Sequence, residues 1–395
     1  MTINNEHKKL NVPNLRFKEF QGEWEKCILG DYGKVVTGNT PPTKDIENYE
    51  NGTYLWASPA DLSTIKLISE TKTKLSSKGF SKTRALPKGS VLVTCIGSTI
   101  GKTGMATKEM STNQQINSIV VNDNNDNEFV YYAIQSAFPR YLSSIAVQAV
   151  PIISKSAFEM LPNKRPCLQE QKKIGKFLSL LDERIATQCK VIDKLQSLIK
   201  GISNQLLYAN NGISVLLGEI LIERSERTKE NNQHEVLSST VKGIFSQREY
   251  FSKDIASENN VGYKIIRLHD VVLSPQNLWM GNINYNGKFD VGIVSPSYKI
   301  FSIAEGFDKE YIAATLKTHR ALYNYMLVSE QGASVVRRNL NMEEFEQLVF
   351  KIPSFDQQQK IGRTISVLNL RLELANKQKT LYEKEKQYLL RQIFI

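Results

Sequence analysis

The sequence predicts a chain of the mixed α/β (α+β) class, in which two domains in tandem are each followed by a long helix. Three observations lead to this prediction: a repeated segment with a heptad pattern, runs of strand-forming residues ahead of each copy, and a length of 395 residues. Domains usually contain about 100–200 residues, so two or three are expected. We therefore divide the chain into a first domain (1–165), a first long helix (166–210), a second domain (211–352) and a second long helix (353–395).

The repeat is visible when residues 158–207 are placed over 345–394 at a constant offset of 187. Of the 50 gapless positions, 14 are identical. The identical pairs include Pro166 with Pro353, Gln171 with Gln358, and Gly175 with Gly362. Such a repeat indicates two equivalent units, each made of a variable region and a repeated segment.

Each repeated segment is predicted to be a long helix that begins near Pro166 or Pro353, because proline is tolerated where the first helical N–H has no partner. Apolar residues then follow at alternating steps of four and three, which is the a/d pattern of a coiled coil. The predicted seam consists of Ile174, Leu178, Leu181, Ile185, Ile192, Leu195 and Ile199 in the first helix and of Ile361, Ile365, Leu368, Leu372 and Leu389 in the second. Lys379 and Lys386 place two charges on the second seam. The natural partner of each helix is the other one, and two separate dimerisation helices are the alternative.

The two variable regions share an order of elements. Runs rich in β-branched and aromatic residues predict strands over 54–62, 90–97 and 116–122 in the first region, and over 262–273 and 297–303 in the second. Helices are predicted in matching places, over 129–145 and 309–327.

Composition favours a partner that is a polyanion. The net charge is +11, and a basic balance of this size favours nucleic acid, with a charge that serves only solubility as the alternative. No apolar stretch approaches the ~18 residues of a membrane span, and the first residues have no apolar core of a secretion signal. We therefore expect a cytoplasmic protein. The four cysteines have no CxxC spacing, so no metal site is expected.

Most motifs of catalysis are missing or incomplete. In GSTIGKT (97–103), three residues separate Gly97 from Gly101, whereas a phosphate loop needs four, so a glycine-rich hairpin turn is predicted instead. NTPPTK (39–44) is faintly similar to the Asn-Pro-Pro-aromatic loop of adenine methyltransferases, but Thr40 intervenes and no aromatic residue follows. No dinucleotide fingerprint, nucleophile elbow or zinc-protease motif occurs in the sequence. The sequence therefore predicts a non-catalytic chain.

Amide, hydroxyl and basic side chains in both regions are the candidate DNA contacts. Asn and Gln can pair with adenine edges, and Lys and Arg can neutralise phosphates. The candidates are Lys102, Thr112, Asn113, Gln114, Gln115 and Asn117 in the first region, and Gln276, Asn277, Ser295, Ser297, Tyr298, Arg337 and Arg338 in the second. Any one of them alone is equally compatible with an ordinary polar loop.

Taken together, these features resemble a type I restriction-modification specificity (S) subunit, nearly from end to end. The resemblance rests on LPNKRPCLQEQKKI (161–174), which returns as LVFKIPSFDQQQKI (348–361). It also rests on LPKGSVLVTCIGSTIGKTG (86–104), TNQQIN (112–117) and VGIVSPSYKIF (291–301). One departure is that Gln357 stands where the first copy has Glu170.

The resemblance implies that the two α/β domains are target-recognition domains, each reading one half of a bipartite sequence in double-stranded DNA. It implies that the helices pair as an antiparallel coiled coil, set the spacing and dock two methyltransferase (M) subunits. This chain would hold no cofactor, while S-adenosylmethionine would belong to M, and ATP and Mg to the restriction (R) subunits. The alternatives are a DNA adenine methyltransferase acting alone and a coiled-coil scaffold without a DNA role.

Overall fold

The computed structural model describes residues 11–62, 66–144, 152–208, 212–250, 259–331 and 338–395. The chain divides into two compact units: unit 1 comprises Met1–Cys189 and Gln378–Ile395, and unit 2 comprises Lys190–Lys377. The sequence-based division set the long helices apart as separate segments. The compact units instead divide each helix near its middle, because the helix halves pack against the domains.

Unit 1 is built on a five-stranded sheet of order β2-β9-β6-β7-β4. The described strands of this unit are β1 (Glu25–Ile28), β2 (Gly33–Thr37), β3 (Tyr54–Ala57), β4 (Leu67–Ile68), β5 (Thr73–Leu75), β6 (Val91–Thr94), β7 (Thr103–Ala106), β8 (Ser111–Thr112), β9 (Ile116–Val121) and β10 (Pro162–Arg165). Its helices are α1 (Ser77–Ser81), α2 (Asn127–Ser144), α3 (Lys155–Glu159) and the first half of α4 (Leu168–Tyr208). Smaller sheets have the orders β5-β3-β8 and β1-β10.

The central strand β6 shows why this sheet is buried on both faces. Val91, Leu92 and Val93 are all fully buried, and successive side chains of a strand point to opposite faces. Val91 and Val93 join the large core that contains α2, whereas Leu92 joins a second core on the other face.

Unit 2 is built on a four-stranded sheet of order β12-β19-β16-β17, which matches the order β2-β9-β6-β7 of unit 1. Its described strands are β11 (Ile213–Leu216), β12 (Leu221–Arg224), β13 (Leu237–Thr240), β14 (Gly243–Ser246), β15 (Lys264–Arg267), β16 (Val271–Leu273), β17 (Ile283–Tyr285), β18 (Val291–Val294), β19 (Lys299–Ile303), β20 (Ser329–Gln331), β21 (Arg338–Leu340) and β22 (Val349–Ile352). Its helices are α5 (Leu217–Ile220), α6 (Gln247–Tyr250), α7 (Lys309–Thr315), α8 (His319–Leu327), α9 (Met342–Glu346) and the first half of α10 (Phe355–Ile393).

Two elements predicted from the sequence are wrong as single elements. The strand predicted over 262–273 is two strands, β15 and β16, because a turn at His269, with φ of 76°, separates them. The carboxylate of Asp270 stabilises this turn by accepting the N–H of Arg267 at 2.7 Å. The helix predicted over 309–327 is also two, α7 and α8, because the Thr318 hydroxyl caps α8 by accepting the N–H of Ala321 at 3.2 Å.

A buried amide joins the domain of unit 1 to α4. Gln171 donates from Nε2 to the carbonyl of Pro166 at 3.0 Å and accepts the N–H of Asp126 at Oε1 at 3.1 Å. Asp126 in turn caps α2, because its Oδ1 accepts the N–H of Phe129 at 2.9 Å. The approach is so close that a Cβ on Gly175 would lie 2.4 Å from Oδ1 of Asp126. The position therefore requires glycine.

The same joint recurs in unit 2 at the offset of the repeat. Gln358 donates to the carbonyl of Pro353 at 3.0 Å and accepts the N–H of Asp308 at 2.9 Å. Asp308 caps α7 through the N–H of Tyr311 at 2.8 Å. A Cβ on Gly362 would lie 2.5 Å from Oδ1 of Asp308. The identities found in the sequence are thus the residues of a duplicated joint.

Predicted seam residues lie in the cores of both units. In unit 1, Ile174, Leu178, Leu181 and Leu389 are buried and Ile185 packs against the same core. In unit 2, Ile192 and Ile365 are buried, whereas Leu195, Ile199, Ile361, Leu368 and Leu372 are half-buried. Lys386, on the second seam, pairs with Asp182 at 2.7 Å and keeps only 13% of its side chain exposed.

The departure at Gln357 has a local reason. Glu170 is 1% exposed and pairs with Arg16 at 2.7 Å, so that it fixes residues ahead of β1 onto α4. The hydrogen bond from Arg16 to Glu170 raises the pKa of the arginine. Gln357 is exposed, and no arginine pairs with it among the residues that the structure describes.

The duplicated joint predicts opposite effects for two glycines of α4. Gly175→Ala should lower the thermal stability, because overpacking a close contact costs about 1–3 kcal/mol. Gly201→Ala is the matched control: nothing lies within 4 Å of its added Cβ, so the greater helix propensity of alanine should stabilise by up to ~1 kcal/mol. Thermal unfolding of both variants measures the difference, and equal melting temperatures would contradict the joint.

Candidate nucleic-acid interface

The candidate residues of unit 1 lie at one edge of the main sheet. β6 ends at Thr94, which pairs with Ile116 at the start of β9, so residues after 94 and before 116 reach the same edge. The N–H of Cys95 donates to the carbonyl of Gln115 at 2.8 Å, and the N–H of Thr94 to the carbonyl of Lys102 at 2.9 Å. The structure therefore brings Lys102 together with the turn that contains Gln115.

The glycine-rich run at this edge is the predicted hairpin turn between antiparallel β6 and β7. Gly97 and Gly101 have φ of 90° and 89°, values that favour glycine. A Cβ on Gly101 would also lie 2.5 Å from the ring of Phe138. The ring of Phe138 therefore packs directly against this turn.

The six candidates of unit 1 differ in exposure. Lys102 and Gln114 are exposed, and Gln115 is half-buried. Thr112, Asn113 and Asn117 are buried, with 1%, 7% and 2% of their surface exposed. Asn117 is held within the domain, since its Oδ1 accepts the hydroxyl of Thr37 at 2.7 Å. A buried side chain cannot reach a base edge without rearrangement, so the accessible ones among these six candidates are Lys102, Gln114 and Gln115.

Sequence reasoning missed three neighbours of this turn. The hydroxyl of Thr40 donates to Oε1 of Gln114 at 2.5 Å. Asn39 accepts the N–H of Arg84 at 3.0 Å, and the exposed guanidinium of Arg84 donates to the carbonyl of Thr37 at 2.6 Å. For Asn39 and Thr40, the signal in the sequence is the unusual run NTPPTK, which is too different from a methyltransferase loop to support that motif. Its proximity to 114 depends on the pairing of β2 with β9, which no local pattern reveals.

The corresponding edge of unit 2 carries a different cluster. Leu273 at the end of β16 pairs with Lys299 at the start of β19. Just beyond, the N–H of Arg338 donates to the carbonyl of Gln276 at 3.1 Å, and the Arg338 guanidinium lies 4.5 Å from the ring centroid of Trp279. Gln276 is exposed, whereas Asn277 and Arg338 are half-buried. Arg337 lies outside the described residues.

The remaining candidates occupy the turn before β19. The hydroxyls of Ser295 and Ser297 are 3.1 Å apart, and Ser297 is exposed. Tyr298 instead points inward, because its hydroxyl donates to the carbonyl of Ser239 at 3.0 Å and its own carbonyl accepts the ammonium of Lys264 at 2.7 Å. Burial raises the pKa of Tyr298. This tyrosine therefore supports the turn.

The described residues offer neither a metal site nor a membrane-spanning helix. Within the described ranges, no group of three or more His, Cys, Asp or Glu side chains could hold a metal ion. No helix of the described chain is both long and apolar enough to cross a membrane.

Comparison with known proteins finds similarity to one kind of DNA specificity domain. Residues 21–197 match the family model of the type I restriction modification DNA specificity domain. The type I restriction enzyme MjaIX specificity subunit of Methanocaldococcus jannaschii is 29% identical over 182 residues, which cover 45% of this chain and 42% of that protein. The HindI specificity subunit of Haemophilus influenzae is 33% identical over 126 residues, which cover 31% of this chain and 27% of that protein. The matches thus span less than half the length of these relatives.

Two solved structures share the fold. The S subunit of a type I restriction-modification system from M. genitalium has a TM-score of 0.64 at 16% identity, over 97% of this chain and 99% of its own. A chain from a structural study of complex assembly and conformational transition of the type I R-M system has a TM-score of 0.51 at 14% identity, over 94% and 96%. At these identities the likeness shows the fold alone, with its mixed α/β content and long helices. The resemblance predicted from the sequence is confirmed.

Burial at the unit 1 edge predicts which cysteines react. Burial raises the pKa of the Cys95 thiol to about 12 and also raises the pKa of Cys27, whereas Cys167 is exposed and Cys189 half-buried. Since the thiolate is the nucleophile, a disulfide reagent at ~pH 8 should label Cys167 and Cys189 first, and Cys27 and Cys95 only after unfolding. Cys167→Ser should remove one rapid thiol. Loss of a rapid thiol in Cys95→Ala would contradict the buried edge.

Proposed function

We propose that this chain, which carries a type I restriction-modification DNA specificity domain at residues 21–197, is the subunit that directs a type I complex to its DNA sequence. The observation that carries the proposal is the duplication of one arrangement. Both units attach the same order of four strands to a long helix through the same Gln–Asp joint. Both also present polar side chains at the same edge of that sheet. Two equivalent readers suit a target with two halves.

In this proposal each unit reads one half of a bipartite target. Unit 1 would contact DNA through Lys102, Gln114 and Gln115, and unit 2 through Gln276, Asn277, Ser297 and Arg338. Amides and arginine can read base edges in the major groove, and lysine contributes phosphate contacts. The buried candidates Thr112, Asn113 and Asn117 would act by shaping the turn. The net charge of +11 supports a polyanionic ligand.

The long helices would pair as an antiparallel coiled coil that fixes the spacing of the half-sites. Within unit 1, Ile174 lines a small cavity with Ile393, and Asp182 pairs with Lys386. A rising number in α4 thus meets a falling number in α10, as an antiparallel pair requires. The 41 residues of α4 span roughly 60 Å at ~1.5 Å per residue.

The outer faces of these helices would dock two methyltransferase subunits. Besides its seam, each helix carries large apolar side chains that are between 40% and 64% exposed. These are Phe177, Leu180, Val191 and Leu198 in α4 and Val367, Leu370, Leu374, Leu381 and Tyr388 in α10. Their steps of three, four, seven and eleven form a second stripe, and an exposed apolar stripe fits a partner helix.

Chemistry would then reside in the partners. The M subunits would hold S-adenosylmethionine and methylate adenine, and the R subunits would use ATP and Mg. The chain itself would be non-catalytic and act on DNA in the cytoplasm.

The deciding experiment is to coexpress this chain with its M partner and sequence the methylated sites. We expect one bipartite motif in the presence of both chains and no methylation from this chain alone. Methylation by the isolated chain would identify it as an enzyme. The absence of salt-dependent DNA binding by the complex would identify it as a scaffold.

The repeat predicts that half-site recognition is modular. Exchanging residues 12–157 for the equivalent domain of another S subunit should change one half of the methylated motif, because the exchanged part ends before α4. Sequencing the methylome of cells with the chimera and the M partner measures this. Simultaneous change of both halves would rule out independent readout.

Substitutions at two adjacent leucines of α4 should distinguish an effect on folding from an effect on docking. Leu181 is 6% exposed and Leu180 is 50% exposed. Leu181→Asp should destabilise unit 1 by a few kcal/mol, because it buries an unpaired charge. Leu180→Asp should preserve the melting temperature but weaken assembly with M in size-exclusion chromatography. Normal assembly of the Leu180 variant would refute the proposed docking face.

A further inference from the structure

The geometry points to a chemical rule for the half-site of unit 1: its recognition turn directs amide and ammonium N–H groups outward, so these side chains select base edges that carry acceptors. This inference rests on the proposed function. It adds the kind of base edge that unit 1 recognises and the residue that orients the reading group.

The orientation of one reading amide follows from a chain of hydrogen bonds. The backbone N–H of Gln115 donates to the side chain of Asn113 at 3.0 Å. A backbone N–H only donates, so the accepting atom is Oδ1 and the other terminal atom of Asn113 is Nδ2. Nδ2 lies 2.9 Å from the end of the Gln115 side chain, which must therefore present Oε1 to it. The orientation of both amides is thus fixed by a backbone group.

The consequence is a free donor on Gln115. Its Oε1 is occupied by Asn113, and its Nε2 has no hydrogen-bond partner among the residues that the structure describes. Gln115 is half-buried at the sheet edge, whereas Asn113 is 7% exposed. Asn113 is therefore a positioning residue that acts through Gln115, and this corrects its assignment as a direct DNA contact.

The neighbours of Gln115 add donors as well. Oε1 of Gln114 accepts the hydroxyl of Thr40 at 2.5 Å, which leaves its Nε2 to face outward from an exposed residue. Lys102, also exposed, carries an ammonium group that can only donate. Three side chains at one edge thus offer N–H groups, and the oxygen of each of the two amides already accepts one hydrogen bond.

Donors of this kind match a subset of base edges. In the major groove, guanine presents N7 and O6, adenine presents N7, and thymine presents O4 as acceptors, whereas cytosine presents only the N4 donor. We therefore infer that Gln114 and Gln115 contact acceptor atoms, namely N7 or O6 of guanine, N7 of adenine or O4 of thymine, rather than the N4 donor of cytosine. The rule is confined to unit 1, because Ser295 and Ser297 at the corresponding turn of unit 2 can donate or accept.

One substitution should reverse the rule. In Asn113→Asp, one carboxylate oxygen still accepts the N–H of Gln115, but the other can no longer donate to Oε1. Gln115 must then turn its Nε2 toward the aspartate and present Oε1 outward. Gln115→Glu should likewise replace the outward donor by an acceptor, because a carboxylate only accepts. Its position is more accessible than that of Asn113. Both variants should prefer a base that offers a donor.

The test compares methylomes of the wild-type chain, these two variants and Asn124→Asp, each with the M partner. Asn124 is exposed in the turn between β9 and α2, so that variant adds a charge away from the edge. We expect the Asn113 and Gln115 variants to change preference at one position of the unit 1 half-site by about tenfold, the scale of one base-edge contact. The Asn124 variant and the unit 2 half-site should keep their preference.

Each result has a defined meaning. An unchanged preference in Gln115→Glu, with methylation retained, would overturn the inference. Should Asn113→Asp fail to fold in thermal unfolding, Gln115→Glu decides alone. A wild-type complex without any specific motif would instead refute the proposed function, so the two failures are distinguishable. The domain exchange identifies which half-site belongs to unit 1.

Discussion

The fold depends on one buried side-chain amide at the start of each long helix. Gln171 and Gln358 each accept an N–H from the residue that caps the domain helix, Asp126 or Asp308, and donate to a proline carbonyl. An amide has one accepting and one donating end, so it holds the domain helix and the long helix in a single relative orientation. Losing either bond inside the protein would leave a buried polar group unsatisfied, at a cost of about 1–3 kcal/mol. The orientation of each domain on its long helix therefore depends on this contact.

Away from the joint, the two units are free to differ. Counting from the cap aspartates, Tyr131 and Tyr132 of unit 1 correspond to Ala313 and Ala314 of unit 2. In unit 1 the space beside the tyrosines is filled by Lys66, whose ammonium lies 3.2 Å from the hydroxyl of Tyr132. In unit 2 the alanines line a cleft of about 900 Å³. Identical joints therefore tolerate dissimilar surroundings, because the fixed contacts are few and local.

Periodic features were predictable from the sequence, and long-range ones were not. The two long helices and their seams follow from repeated steps of three and four, which is a local property. In the sequence alone, Lys386 is a charge on an apolar seam. Its partner, Asp182, is about 200 residues away, and only the fold brings the two together. The same limit applies to the site: an amide-rich run indicates polar chemistry, but the burial of Asn113 and the contact of Thr40 with Gln114 depend on strand pairing. The sequence therefore indicated the candidate turn but not the orientation of its amides.

The ion pair between Asp182 and Lys386 also bears on which of the long helices can pair. Because α4 and α10 are repeats, α4 of one molecule could in principle pair with α4 of another. At the offset of 187, Lys386 is equivalent to Ile199 and Asp182 to Asn369. A homotypic α4 pair would then bury the Asp182 carboxylate against isoleucine, and a homotypic α10 pair would place Lys386 against asparagine. Asp182 would still accept the hydroxyl of Tyr132, but Lys386 would have no carboxylate opposite it, and an unpaired charge taken out of water costs several kcal/mol. The ion pair therefore favours the pairing of α4 with α10 over the pairing of two α10 helices.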